Sequence, residues 1–233
     1  MGGNPSDAVS LCIEFNLSCL TEWFKNEEPI HQVYLDAFWI DQTEVTNVMY
    51  SKCVQDGKCN PPTSTKSYTR ADYSGNSQFD NYPVIFISWH DADTYCSWAD
   101  RRLPTEAEWE KAARGTDARA YPWSNDPPNT DLLNYKHAFE DTTAVGQFPK
   151  GASPYGALDM AGNVWEWTAD WYGETYYAVS PESNPSGPES GTMRVMRGGA
   201  FGSQVHNVRS TFRFPSDPAE TYAWVGLRCA RDE

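Results

Sequence analysis

Between Tyr155 and Tyr172 the chain reads Tyr-Gly-Ala-Leu-Asp-Met-Ala-Gly-Asn-Val-Trp-Glu-Trp-Thr-Ala-Asp-Trp-Tyr, and this stretch constrains the fold more than any other. Trp165 and Trp167 lie two residues apart, so an extended backbone puts both indoles on one face and Glu166 on the other, toward Asp159. Gly162 and Asn163 favour an irregular backbone that can turn its carbonyls inward. Carboxylates with freed carbonyls are the donor set of a hard cation such as calcium. The residues leave a second reading open: an aromatic core strand with a solvated glutamate.

A core made of large flat side chains fits the composition. Aromatic residues are 14% of 233, with 10 Trp and 13 Tyr, and 16 Gly with 16 Pro imply many loops. The net charge of −14 repels phosphate backbones and argues against nucleic acid as a partner, while suiting bound cations. No apolar run reaches membrane-spanning length, and no charged-then-apolar leader precedes the first element.

Cysteine spacing carries a further constraint. Cys12 with Cys19, and Cys53 with Cys59, suit short disulfide loops, which leaves Cys96 to pair with Cys229; free buried thiols are the alternative. Three bridges imply an oxidising, extracytoplasmic or cell-surface setting.

Periodicity places the elements. Residues 1–30 show little, with a turn at Met1–Pro5 and a loop from Cys12 to Cys19. Alternation over 33–41 predicts a strand. Thr46 caps a helix with Met49, Tyr50, Cys53 and Val54 on one face. Residues 60–82 read as a long surface loop, of a length that is often functional. A short strand is expected over 83–89, then a helix from Ser88 to Ala99 with Ala92, Tyr95, Cys96 and Ala99 inward. Thr105 and Glu108 form a capping box for a helix reaching about Arg114. Loops dominate 115–160 and 180–192; a strand entering a Gly-Gly turn is expected over 193–201, and another strand over 224–231.

Four motifs occur in fixed order: Arg101-Arg-Leu-Pro-Thr-Glu-Ala-Glu-Trp-Glu110, Gly162-Asn-Val-Trp-Glu-Trp167, Arg197-Gly-Gly199 and Gly226-Leu-Arg-Cys229. Together they resemble the sulfatase-modifying factor family, whose founding activity is formylglycine generation. The resemblance implies a single irregular, loop-rich α+β domain of formylglycine-generating-enzyme and C-type-lectin-like type over residues 1–233. In the family a strand usually precedes the point that Met1-Gly2 matches, so the chain is expected to begin inside the domain. The resemblance also implies a calcium site at Asp159, Gly162, Val164 and Glu166, the Gly and Val acting through carbonyls. A second matches Asn134 and Tyr135, with Asp141 and the Thr143 carbonyl as the remaining candidates at a spacing that departs from the family's. The Cys96–Cys229 bridge is a family feature as well.

The catalytic pattern is not carried over. The oxidases this chain resembles bind copper through two cysteines after the Arg-Gly-Gly turn, and soft thiolates are what a cuprous ion requires. Anchored on Arg209–Arg213, those positions are Val205 and Ser210, so no copper is expected. His31, His90, His137 and His206 form no close-spaced ligand pair, and no nucleophile elbow or phosphate-binding loop is present. The segment 201–224 carries Phe201, Gln204, His206, Asn207, Phe212, Phe214, Tyr222 and Trp224, aromatics mixed with adaptable polar groups as in a paratope; the other reading makes half of these aromatics core, Phe201 and Trp224 beside the strands first among them. Its frame resembles variable proteins of diversity-generating retroelements, in which this loop is the ligand site. The expectation is therefore a non-catalytic, calcium-stabilised binding domain for a protein or small molecule, as a monomer or within a larger chain. The alternative is an oxidase or related enzyme with an atypical active site.

Overall fold

Asn4 caps a helix where the sequence reading expects only a turn. Its side-chain oxygen accepts a hydrogen bond from Ser6 N–H, and Pro5 occupies the first helical position, where a missing N–H costs nothing. Helix α1 thus spans Pro5–Glu14 in the computed structural model, which describes residues 1–15 and 17–233. Ala8 and Cys12 bury its inner face. Of the loop expected from Cys12 to Cys19, residues 12–14 belong to α1, and Asn16 lies outside the described residues.

Of the strand expected over 33–41, only β1 (Phe38–Ile40) forms, pairing antiparallel with β6 (Ala230–Asp232). Thr46 Oγ1 accepts from Met49 N–H and starts α2 (Asn47–Gln55). The expected inner face is partly wrong: Asn47, Tyr50 and Cys53 are buried, whereas Met49 is 43% exposed. The stacking of Tyr50 on Tyr95, centroids 5.4 Å apart, sets the rotation of the helix.

No strand forms over 83–89. Phe86 has φ +57°, which breaks an extended run, and the N–H groups of Val84 and Phe86 bond to Val45 and Tyr222 carbonyls. The segment is an apolar plug, with Val84, Ile85 and Ile87 buried. Helices α3 (Trp89–Trp98) and α4 (Glu106–Arg114) both open on reciprocal capping boxes, Ser88 with Asp91 and Thr105 with Glu108.

Strand β2 (Trp165–Trp171) lies inside a four-stranded sheet ordered β4-β3-β2-β5, with β3 at Arg194–Arg197, β4 at Phe214–Ser216 and β5 at Val225–Gly226. Only the β2–β5 pair is parallel. The strand expected over 193–201 ends at Arg197, where the expected Gly198-Gly199 turn takes over with positive φ. At Gly199 an added Cβ would stand 2.7 Å from the Val208 side chain, so the turn excludes any larger residue. The strand expected over 224–231 divides between the two sheets as β5 and β6.

All three disulfides are present: Cys12–Cys19, Cys53–Cys59 and Cys96–Cys229. The last joins α3 to the segment leading into β6. One face of β2 sends Trp165 and Trp167 into the main apolar core. Behind the other face lies a dense charged layer. Glu106 receives two hydrogen bonds from Arg213 at 2.7 and 2.8 Å, Glu110 receives Arg197 at 2.7 Å, and all four residues are buried. The irregular α+β architecture is the one expected. Among the described residues no helix is long and apolar enough to cross a membrane.

Candidate functional site

Glu166 faces away from the two indoles, as alternation requires, and ends in a buried centre. Arg228 pairs with it through Nε to Oε2 and Nη2 to Oε1, both 2.7 Å, and Trp109 Nε1 donates to Oε2 at 2.7 Å. One of the carboxylate's four lone-pair directions, on Oε1, stays uncommitted. Asp159 accepts from Gly146 N–H at 2.6 Å. Glu44 joins this centre although the sequence reading did not single it out. It is 1% exposed; its Oε1 accepts from Asn163 at 2.9 Å and its Oε2 has no partner. Burial, reinforced by Asp159 and Glu166, pushes the Glu44 carboxyl well above the usual range; burial likewise raises Asp159. Three carboxylates thus share one arginine.

The carbonyls of Gly162 and Val164 accept no hydrogen bond from the described residues. Gly162 has φ +78°, and an added Cβ would lie 2.2 Å from Asn134 O, so the turn that frees its carbonyl demands glycine. Two free carbonyls, a buried carboxylate oxygen that no N–H reaches and excess negative charge are the donor types that calcium takes. The second expected set does not fit. Asp141 Oδ2 accepts from Ser67 Oγ, Thr69 N and Thr69 Oγ1 at 2.5–2.9 Å, its Oδ1 accepts from Thr142 N, and Arg70 lies 3.3 Å away. Burial alone would raise this carboxyl, but those hydrogen bonds hold it below its usual range. Its role is to anchor the 67–70 loop. Of that set, Asn134 retains a buried, unpartnered Oδ1; Tyr135 donates from its hydroxyl to Pro128 O, and the Thr143 carbonyl accepts from Asn163 Nδ2 at 3.5 Å.

Asn163 links this centre to the surface. Its side chain holds Glu44 and Thr143, while its carbonyl accepts from Phe201 N–H at 2.9 Å. Phe201 lies in a cleft of about 270 Å³ lined by Tyr68, His137, Trp165, Ala200, Phe201, Gly202, Ser203 and Trp224. Tyr68 packs against both His137 and Phe201, with centroids 5.6 and 5.5 Å away. Trp165 N–H donates to Trp224 O at 2.8 Å and ties the opposite wall to β2.

The expected ligand surface therefore divides. Phe201 and Trp224 line the cleft. Tyr222 stacks on Trp224, and the exposed Phe214 packs on Trp165, both extending that wall. Phe212 is buried behind Trp165. Asn207 caps Gln204 N–H, both half-buried, and neither lines the cleft. His206 turns instead to Phe24 and Cys19. Burial, then Arg209, lowers its imidazole to about 4, so it is neutral near pH 7. Val205 and Ser210, at the positions matched to the copper-binding cysteines, are both fully buried; Gly202 and Ser203 reach the cleft beside Phe201 and Trp224. All six cysteines are in disulfides, so none offers a thiolate there. Sequence reasoning missed Tyr68, His137 and Ser203; the length of the 60–82 loop was the only signal for the first.

A family model described as a sulfatase-modifying factor enzyme 1-like domain matches residues 12–233. The serine/threonine-protein kinase pkn1 of Chlamydia caviae is 37% identical over 221 residues, covering 89% of this chain and 35% of that protein. The formylglycine-generating enzyme of Thermomonospora curvata is 41% identical over 173 residues, 65% of this chain and 56% of that protein. The chain thus spans between a third and just over half of these relatives' lengths. Among solved structures, Treponema denticola variable protein 1 superposes with TM-score 0.77 at 23% identity, covering 90% of this chain and 89% of that one, a likeness of fold.

Proposed function

This chain belongs to the sulfatase-modifying factor enzyme 1-like family, and from that premise we propose that it is a non-catalytic binding domain, stabilised by calcium, whose ligand enters the cleft at Phe201 and Trp224. One observation carries this reading: the cleft presents aromatic faces without a thiolate, since every cysteine is bridged elsewhere. Aromatic rings offer large contact area at small cost in conformational entropy. Asp159, Glu166, Glu44 and the Gly162 and Val164 carbonyls are the residues that would hold calcium. Its charge would offset the carboxylates and brace the Asn163 turn, which positions Phe201. Three disulfides support an extracytoplasmic or cell-surface location. Display of a diversified loop on 201–224 is the finer form of the proposal and rests on the sequence frame.

Binding of the chain to an array of peptides, glycans and small metabolites tests the reading. A hit that Trp224→Ala and Tyr68→Ala both weaken by tenfold or more supports it; a hit indifferent to both moves the ligand site elsewhere. The second reading, an enzyme, is favoured by the 41% identity to a formylglycine-generating enzyme. Incubation with copper, oxygen, reductant and a cysteine-containing sulfatase peptide decides between them. We expect the peptide mass to stay unchanged; aldehyde formation above a copper-only control would establish the enzyme.

A further inference from the structure

Away from the cleft and the carboxylate centre, three metal-ligating side chains converge from distant parts of the chain. Cys12 lies in the last turn of α1, Cys19 follows in the next segment, and His206 comes from the 201–224 segment. Their ligating atoms all lie within 4.8 Å of one another. Cys12 is fully buried, while Cys19 and His206 are half-buried, so the group opens to solvent on one side. The only polar contact of the His206 ring nitrogens among the described residues is Nδ1 to Cys19 Sγ, at 3.8 Å.

We propose that Cys12, Cys19 and His206 form a redox-gated site for a thiophilic divalent cation such as zinc, closed while the disulfide is intact and opened by a dithiol reductant. Zinc bonds of about 2.3 Å to sulfur and 2.0–2.1 Å to nitrogen place tetrahedral ligands roughly 3.6–3.8 Å apart. The Nδ1–Sγ separation already has that value. The Cα atoms of Cys12 and Cys19 are 6.0 Å apart, so the freed sulfurs can separate to roughly 3.8 Å by side-chain rotation. Reduction transfers two electrons and two protons from the dithiol, which closes to its own disulfide, and leaves two thiols. The cation then displaces both thiol protons to solvent. Two thiolates and a neutral imidazole complete three positions, and the fourth faces water. His206 packs edge-on against Phe24 and Phe212, so metal binding would tie α1 to the aromatic segment in place of the disulfide.

The test uses the full chain and zinc alone. Mild dithiol treatment should release two thiols that alkylation maps to Cys12 and Cys19, and the product should take up one zinc against a chromophoric chelator. The oxidised protein should take up none from the same chelator. His206→Gln and Cys19→Ser should each weaken uptake by at least tenfold while circular dichroism reports an intact fold. A Cys53→Ala/Cys59→Ala variant should bind zinc as the parent does. Uptake unchanged in His206→Gln, uptake lost with the Cys53–Cys59 pair, or release of the Cys12 and Cys19 thiols only on unfolding would each overturn the assignment.

Discussion

The charged layer behind β2 and the aromatic cleft on its other side use their side chains in opposite ways. In the layer, α4 directs Glu106 and Glu110 at Arg213 and Arg197, and Arg197 also donates to the carbonyls of Ser210, Thr211 and Phe212. These groups are committed to one another and can accept no ligand without breaking the fold. In the cleft, Tyr68 and Trp224 keep exposed surface over a buried Phe201, with Tyr222 stacked on one face of Trp224, and none of these rings is committed to a charge pair. The difference teaches that the family motif Arg101–Glu110 is architecture here, whereas the chemistry available to a ligand lies where no charge is paired.

The sharpest way to break this contrast is inside the layer. Arg197→Met leaves Glu110 Oε2 and three carbonyls without their donor in the interior, although Arg114 and Gly2 N–H still reach Oε1, and removing one partner of a buried pair costs about 3–5 kcal/mol. Denaturant unfolding should show a loss of that size or no folded protein. If the loss is under about 1 kcal/mol, the layer is not what commits the fold. Next in size is the bridge between the layer's two ends of chain. The Cys96→Ala/Cys229→Ala pair opens a loop with a sequence separation of 133 and should cost about 2–5 kcal/mol, read as a lower denaturant midpoint.

Calcium sits between the two regions in this scheme. A ligand present at 100-fold over its Kd adds about 2.7 kcal/mol by mass action. A chelator should therefore lower Tm of metal-loaded protein, and Glu44→Gln should blunt the response while leaving the Arg228–Glu166 pair intact. An identical chelator response in that variant removes Glu44 from the site.

A smaller effect comes from Asp170, buried against α4, where it accepts Glu106 N–H at 2.7 Å. Burial, then Glu106, raises its carboxyl to about 8. A raised folded value means the native state binds the proton more tightly. This group's contribution is thus fully present below about pH 4 and is lost as pH rises through 8. Asp170→Asn should remove that decline, so its Tm should exceed the parent's above pH 8; equal slopes for both proteins from pH 5 to 9 would refute the assignment. The smallest expected effect on stability is in the cleft. Trp224 is 39% exposed, and Trp224→Ala should change unfolding free energy by only about 0.5 kcal/mol while abolishing ligand capture.

Helices with local signals were legible. Ser88 with Asp91, and Thr105 with Glu108, mark starts that the structure reproduces, because a capping box is closed within four residues. Asn4-Pro5 was an equally local start signal for α1 that went unread. The strand expected over 83–89 failed for a non-local reason: Phe86 gives its N–H to Tyr222, far along the chain. At the site, the Trp165/Glu166 alternation was legible, since side chains of a strand must alternate. The partners of Glu166 were not, because Trp109 and Arg228 reach it across 57 and 62 residues.

By itself the sequence determined the starts of α2, α3 and α4, the two short cysteine loops, the faces of β2 and the family with its Cys96–Cys229 bridge, all properties of residues near one another or of ordered motifs. Only the tertiary structure decided that Glu44 joins Asp159 and Glu166, that Tyr68 and His137 complete the cleft, and that His206 turns to Cys19. Each of those outcomes depends on burial and on backbone bonds between segments far apart in the chain, and neither is encoded in any short window of residues.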